Sequence, residues 1–411
     1  MIKKISITFL FIIILFIAFL IYLSIYGIET TKFNSLIKNE IKSYNSKLDI
    51  KVKSVKLLLD LKKFSVNIKS LDPVIVYNNK NINLKQLSTI FSIDLYFNKN
   101  YGFKNLKIST KDTNIKDLID IGKSIENSTQ LFVISQIVKK GTLQTVIDLR
   151  FDENGQIKSD YKINGSAKDI ELKLLKNQII KNIDFDFNIK EKNYKFNNIS
   201  FNYNKIKFLS DSILLKSNKD IYLIEGNLKN NEANLNSDIL SIFFSNNLNN
   251  IELKNTKFQT INTFYIKLSK KFKIKDYKVK SELNLNEIKY NFKSKLIKKY
   301  IKNYKNFINI KNAILNIEYS KNNIAINGSS NYSINDFNEK FEFEIVKLKD
   351  SYDFDINIFF DETEIDISNI NYKKLGNKKS SLNLVGKYNK DKNLFFKTIN
   401  FKENKKKIEL K

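Results

Sequence analysis

The feature that most constrains this chain is a side-chain period of two that recurs from residue 50 almost to its end. Ile50 and Val52, then Val55, Leu57, Leu59 and Leu61, then Phe64, Val66 and Ile68 put apolar side chains at alternate positions. Successive side chains of a strand point to opposite faces, so such a segment has one dry and one wet face. The pattern returns at Ile183, Phe185, Phe187 and Ile189, at Ile199, Phe201 and Tyr203, and at Leu283 and Leu285. It continues from Ala313 to Tyr319, at Ile324 and Ile326, Phe341 to Ile345, Tyr352 to Ile358, Ile365 and Ile367, and Leu382 and Leu384. The expected fold is mainly β, a meandering antiparallel sheet.

The clearest hairpin runs through Leu143, Thr145, Ile147, Leu149 and Phe151, turns at Asp152-Glu153-Asn154-Gly155, and returns through Ile157, Ser159, Tyr161 and Ile163. Asn-Gly supplies the positive φ angles of a tight turn. After Tyr203 the alternation resumes at Ile206 and Phe208 on the other parity, which predicts a bulge near Asn204 and Lys205. Helical spacing is confined to Ile115–Ile121, Leu131–Val138 and Leu296–Tyr304, short pieces expected to flank the sheet. So many one-sided strands need a second apolar layer. Either two sheets pack as a sandwich, or one sheet curls so that its apolar face lines a groove.

The chain opens differently. Ile5 to Ile28 holds no charged residue and as a helix would extend about 36 Å, the length of a bilayer crossing with some tilt. No small-residue cleavage site follows, so 1–28 reads as an uncleaved transmembrane anchor. Lys3 and Lys4 precede it while Lys32, Lys38 and Lys42 follow it, so the positive-charge count alone leaves the side of the body open, although lysines before a first helix can fix a cytoplasmic N-terminus with the body on the far side. Phe33, Leu36, Ile37, Ile41, Tyr44 and Leu48 then mark an amphipathic helix over 29–48. A β-rich module with helices is expected over 49–140. The elongated sheet follows over 141–411, and the alternation of Ile408 and Leu410 leaves open that it continues beyond.

Composition removes most chemistry. With no His and no Cys, the usual general base, thiol nucleophile and transition-metal sites are missing, and no phosphate-cradling glycine motif is present. The chain reads as a non-enzyme without cofactor or metal. Asp353, Asp355, Asp361, Glu362, Glu364 and Asp366 form the richest carboxylate cluster. Two of these alternate with Phe354, Ile356 and Ile358, as the solvent face of a strand does. The net charge of +28 reads first as a compositional bias toward Lys, Asn and Ile; if a partner uses it, anionic lipid fits better than nucleic acid, because Arg150 is the only arginine and base readout favours arginine.

The lysine-capped anchor of Met1–Ile28, the helix of Phe33–Leu48, the strand pair from Ile50 to Ile68 and the strand Leu71-Asp72-Pro73-Val74-Ile75-Val76-Tyr77 together resemble the start of the AsmA-like superfamily, with its YhdP and TamB branches of Gram-negative envelope proteins. A second stretch, from Gly141 through Asn154-Gly155 to Gly165-Ser166-Ala167-Lys168-Asp169-Ile170, is similar to the strand ladder of the YhdP branch. The resemblance implies a curled, groove-like sheet standing in the periplasm on a single-pass inner-membrane anchor. Such a groove carries phospholipids between the inner and outer membranes and so maintains the envelope. A bare acyl chain of about 16 carbons in water costs roughly 12 kcal/mol, a barrier that a continuous apolar face removes. Val66, Ile147, Tyr161, Phe185 and Phe201 are the expected lipid-contacting residues. The alternative is a scaffold or assembly factor for outer-membrane proteins, pairing its sheet edge with a periplasmic or outer-membrane partner.

Overall fold

A computed structural model describes residues 2–44, 46–78, 80–97, 102–125, 128–174, 178–237, 250–301, 303–321, 323–335, 337–348, 350–389, 393–404 and 406–410. Apart from one two-stranded ribbon, the described strands belong to one large antiparallel sheet that does not close on itself, and helices are few and short apart from the first. The chain divides into two compact units, Met1–Phe201 and Asn202–Lys411.

In the first unit, α1 (Ile2–Ile25) ends where the Tyr26 and Gly27 amides both bond the Tyr22 carbonyl. Gly27 takes φ +68°, and a Cβ there would lie 2.3 Å from the Leu57 carbonyl oxygen. Only glycine turns the chain this closely, from the helix directly into β1 (Ile28–Thr30). Among the described residues no helix is long and apolar enough to cross a membrane. Side chains of α1 are described from Leu10 onward, and most of these are exposed. The amphipathic helix forms as α2 (Asn34–Tyr44), shorter than the sequence span.

Next come β2 (Leu48–Lys51), β3 (Ser54–Asp60), β4 (Ser65–Leu71), β5 (Val74–Tyr77), β6 (Lys80–Ser92), α3 (Ile93–Phe97), β7 (Phe103–Thr110) and β8 (Thr113–Asn114). They are followed by α4 (Ile115–Ile125), α5 (Thr129–Ile137), β9 (Val138–Arg150), β10 (Lys162–Lys173), β11 (Ile179–Lys190) and β12 (Asn193–Tyr203). Pairing runs β1–β3–β4–β6–β7–β9–β10–β11, while β2 and β5 form a short side layer on β6. Ser128 caps α5 by accepting from the Leu131 amide. The expected hairpin forms with Ile147 opposite Ile163, but its return is irregular: Phe151 bridges Ile157 and regular pairing starts only at Lys162. The Asp152 carboxylate accepts the amides of Asn154 and Gln156, so an Asx turn carries the reversal.

The predicted bulge at Asn204 and Lys205 is instead a two-residue turn. β12 ends at Tyr203, β13 starts at Ile206, and both intervening residues have positive φ, 48° and 67°. A parity change with no intervening turn signal reads equally as bulge or reversal, and here it is a reversal. Bulges sit elsewhere, under Asp and Asn residues that tolerate the left-handed conformation. Asp169 (φ 52°) falls at a register shift in β10.

The second unit holds β13 (Ile206–Ser217), β14 (Ile221–Asn234), β15 (Ile251–Glu252), β16 (Lys257–Ser269), β17 (Ile274–Asn291), α6 (Lys295–Tyr300), β18 (Phe307–Ser320), β19 (Asn323–Ile334) and β20 (Phe337–Leu348). It ends with β21 (Ser351–Phe360), β22 (Ile365–Ile367), β23 (Tyr372–Lys374), β24 (Ser380–Asn389), β25 (Leu394–Glu403) and β26 (Lys406–Leu410). Asn312 (φ 52°) marks a register shift in β18. Ile365 and Ile367 were expected in the main sheet; they lie in a separate two-stranded ribbon of β22 with β23. That excursion is pinned at its root rather than paired along its length, so alternation alone does not reveal its separation.

Candidate functional site

The strand registers assemble the alternating apolar residues into rows that cross the strands. In the second unit one row runs Leu283, Leu315, Gly328, Phe343, Ile356, Leu384, Ile399 and Leu410, each the direct partner of the next. A parallel row contains Ile317, Ile326, Ile345, Phe354, Gly386 and Phe396. None of these residues is buried, and Phe396 and Leu410 are exposed. Under a second packed layer, such mid-strand side chains would be the most buried in the molecule.

The first unit repeats the arrangement. Leu59, Val66, Phe91 and Phe103 form one row, and Leu57, Ile68, Thr89, Leu106 and Leu149 the next, all half-buried. Leu87, Ile108, Ile147, Ile163 and Ile189 continue the face.

No family model, curated protein or solved structure matches the chain. The resemblance to the AsmA-like superfamily therefore rests on the order and pattern of residues alone.

Of the five residues expected to contact lipid, Val66 and Ile147 occupy these rows. Phe185 and Phe201 pack together on the cluster of Ala167, Ile170 and Ile183, with Phe185 edge-to-face on Phe196 at 5.5 Å. Tyr161 precedes β10, and its hydroxyl donates to the Glu191 carbonyl at 3.0 Å, which places it at the rim. All five are half-buried.

The relief of the face is set by a pairing that alternation does not single out. Gly165, Gly226, Gly328 and Gly386 lie directly opposite Phe187, Phe264, Phe343 and Phe354. A Cβ on Gly165 would meet the Phe187 ring at 2.5 Å, and one on Gly386 the Phe354 ring at 2.5 Å. Each ring lies across the neighbouring strand in the space the glycine leaves, filling the gap with apolar surface. An isolated glycine inside an alternating strand is the signal that marks such close approaches.

Both ends of the strands are finished differently. In the second unit α6 brings Ile297, with Ile301 and Tyr304 just after it, onto Tyr332, Ile334, Phe341 and Ile358, burying one end of the face. Ser294 caps this helix by accepting from the Ile297 amide at 3.3 Å. Toward the short turns the last row reads Val279, Tyr319, Ile324, Lys347, Tyr352, Tyr388 and Leu394. Tyr277 and Tyr319 have ring centroids 5.1 Å apart, and Lys347 Nζ lies 5.5 Å from the Tyr352 ring. Beside them Tyr222 stacks on Phe272 at 5.4 Å, with Lys270 Nζ 4.1 Å from its ring. Tyrosine and lysine side chains join an apolar body to a polar tip, which suits the edge of an apolar face.

The opposite face is polar. Asn316 donates to its partner Asn327 at 3.1 Å, and Asn383 donates to Asn357 at 2.9 Å and to Asp355 at 2.6 Å. Asp355 thus belongs to a cross-strand asparagine ladder. Among the described residues no group of carboxylates is placed to hold a metal ion.

The backbone of Asp361, Glu362 and Thr363 instead serves Glu339 on β20. The buried Glu339 carboxylate accepts their three amides at 2.6, 3.0 and 2.7 Å, and the Thr363 hydroxyl at 2.7 Å. Lys374, fully buried, donates to the Thr363 carbonyl at 2.8 Å and the Leu375 carbonyl at 3.3 Å. Burial pushes the Lys374 ammonium below its ordinary pKa, against the pull of Glu339, Asp361, Glu403 and Glu364. Burial also raises Tyr372, whose hydroxyl donates to Glu403. This network anchors the excursion that carries β22 and β23. It forms a structural clamp of hydrogen bonds that converge from β20, β23 and the loop between β21 and β22.

Proposed function

We propose that the protein is a membrane-anchored lipid conduit. In this reading the uncharged run Ile5 to Ile28, which is longer than the part of α1 whose side chains are described, crosses the inner membrane with the N-terminus in the cytoplasm, and the sheet stands in the periplasm of a Gram-negative envelope. Its uncovered apolar face holds phospholipid acyl chains in passage between inner and outer membranes. The single observation that carries the reading is the set of apolar rows aligned strand to strand, whose residues from Leu315 to Leu410 stay unburied among the described residues, while Leu283 at one end packs in one cluster with Leu235 and Leu253. A chain of methylenes gains from a continuous strip of apolar surface, whereas a packed core needs no such continuity. The tyrosine and lysine rim supplies donors for headgroups at the edge of the face. The reading assigns no catalytic residue and no cofactor.

The test is site-specific photo-crosslinking in cells carrying the full chain, with a photoreactive phenylalanine at position 185, 343 or 356. Phospholipid adducts at all three positions, with none at position 188 on the polar face, are the expected result. Adducts equally frequent on both faces, or none at all, would overturn the reading.

A second reading is favoured by β26, which among the described residues pairs only with β25. An outer-membrane or periplasmic protein adding a strand at this edge would make the chain an assembly scaffold without lipid conduction. Protein crosslinks from position 408, together with no lipid adducts on the face, would establish it.

A further inference from the structure

We infer that the turn Leu61–Phe64 and the helix α3 form a membrane-seating platform that rests on the same bilayer as α1. The inference rests on the anchor reading above and adds a second contact to it.

Three large apolar side chains are exposed here: Leu61 is 46% exposed, Phe64 56% and Phe97 74%. The two phenylalanines belong to adjacent segments, since the amide that opens α3, on Ile93, donates to the Phe64 carbonyl at 3.2 Å. Lys62 and Lys63 occupy the tip of the turn between Leu61 and Phe64, and both are exposed. Apolar groups flanking paired ammonium groups match the acyl boundary and anionic headgroups of a lipid surface.

Position is the second argument. Ile28, the first residue of β1, pairs with Leu57 on β3, and β3 runs from there toward Asp60 and the turn. α1 joins β1 through Tyr26 and Gly27 alone and packs on β3. The helix therefore leaves the sheet at the end of β3 and β4 where Leu61 and Phe64 project. The partner is accordingly the bilayer that α1 enters.

The chain contains no tryptophan, so single substitutions report without background from native indole. The full chain is reconstituted in phosphatidylethanolamine and phosphatidylglycerol vesicles with brominated acyl chains, and four variants are compared. F64W and F97W probe the platform and F16W probes the anchor. L71W probes the far end of β4, about 20 Å from Phe64 at ~3.3 Å per residue. Far-UV circular dichroism confirms that each variant retains its strands.

The expected result is a blue-shifted emission with bromine quenching for F64W, F97W and F16W, and neither for L71W. Quenching of F16W with F64W and F97W behaving like L71W would overturn the platform while leaving the anchor intact. Loss of quenching in F16W as well would overturn both. Equal quenching of all four would reject a localised platform.

Discussion

Phe343 lies across Gly328 on the adjoining strand, its ring 3.2 Å from where a glycine side chain would begin. The same relation holds for Phe354 and Gly386, where an added Cβ would stand 2.3 Å from the Phe395 carbonyl oxygen. Alanine ordinarily improves on glycine inside a strand. At Gly386 the sign reverses, because the methyl must displace both backbone and ring. Gly386→Ala is expected to destabilise the chain by about 1–3 kcal/mol in urea denaturation, and unchanged stability would show that the ring moves aside freely.

Neighbouring residues on β21 separate the two faces. Ile356 sits in the apolar row and Asn357 in the asparagine ladder. Ile356→Glu is expected to abolish lipid adducts at position 343 while costing only about 1–2 kcal/mol, since the side chain is half-exposed already. Asn357→Glu should leave adducts intact. Equal effects of the two would sever the link between face and lipid.

Lys374 makes stability depend on pH in the alkaline range. Its folded pKa is lowered, so the folded chain gives up this proton more readily than the unfolded chain does. The penalty of burying the ammonium is present at neutral pH and lifts as pH rises through the lowered value toward the ordinary lysine value of 10.5. As pH rises toward 10.5 the wild type should gain stability relative to Lys374→Met, measured as the difference between their urea midpoints. A constant difference would mean that Lys374 titrates as an exposed lysine does.

Lys205 holds φ 67° in a two-residue turn after Asn204. Glycine occupies that conformation without strain, and Asn-Gly is the favoured pair for such turns. Lys205→Gly is expected to raise stability by about 0.5–1 kcal/mol in thermal or urea melts. A loss would mean that the lysine side chain makes a contact worth more than the backbone strain.

Much of the sheet was legible because its faces are chemically unequal. Strands such as Ile183–Ile189 and Phe341–Ile345 announce themselves by period two, and helix α4 by the spacing of Ile115, Leu118 and Ile119. What alternation does not encode is closure of the register. The turn at Asn204 and Lys205 and the detached ribbon of Ile365 and Ile367 both preserve local patterning while changing the partner strand. The glycine and phenylalanine pairs were equally hidden, since Gly328 and Phe343 are joined by a register that only the folded sheet displays. Glu339 reads as one acid among lysines, and its task of gathering three amides depends on a loop more than twenty residues away.

Each main strand in both units lies beside one that is near it in the chain, and the longer inserts return to the place they left. Such a polymer behaves like a zipper with many starting teeth. Nucleation at any hairpin involves a small loop-closure entropy, and extension adds one ribbon at a time. The same bookkeeping keeps injury local: a broken hairpin frays its own neighbourhood while distant ribbons stay paired. Hydrogen exchange should therefore reveal patches of graded protection along the chain instead of one global opening.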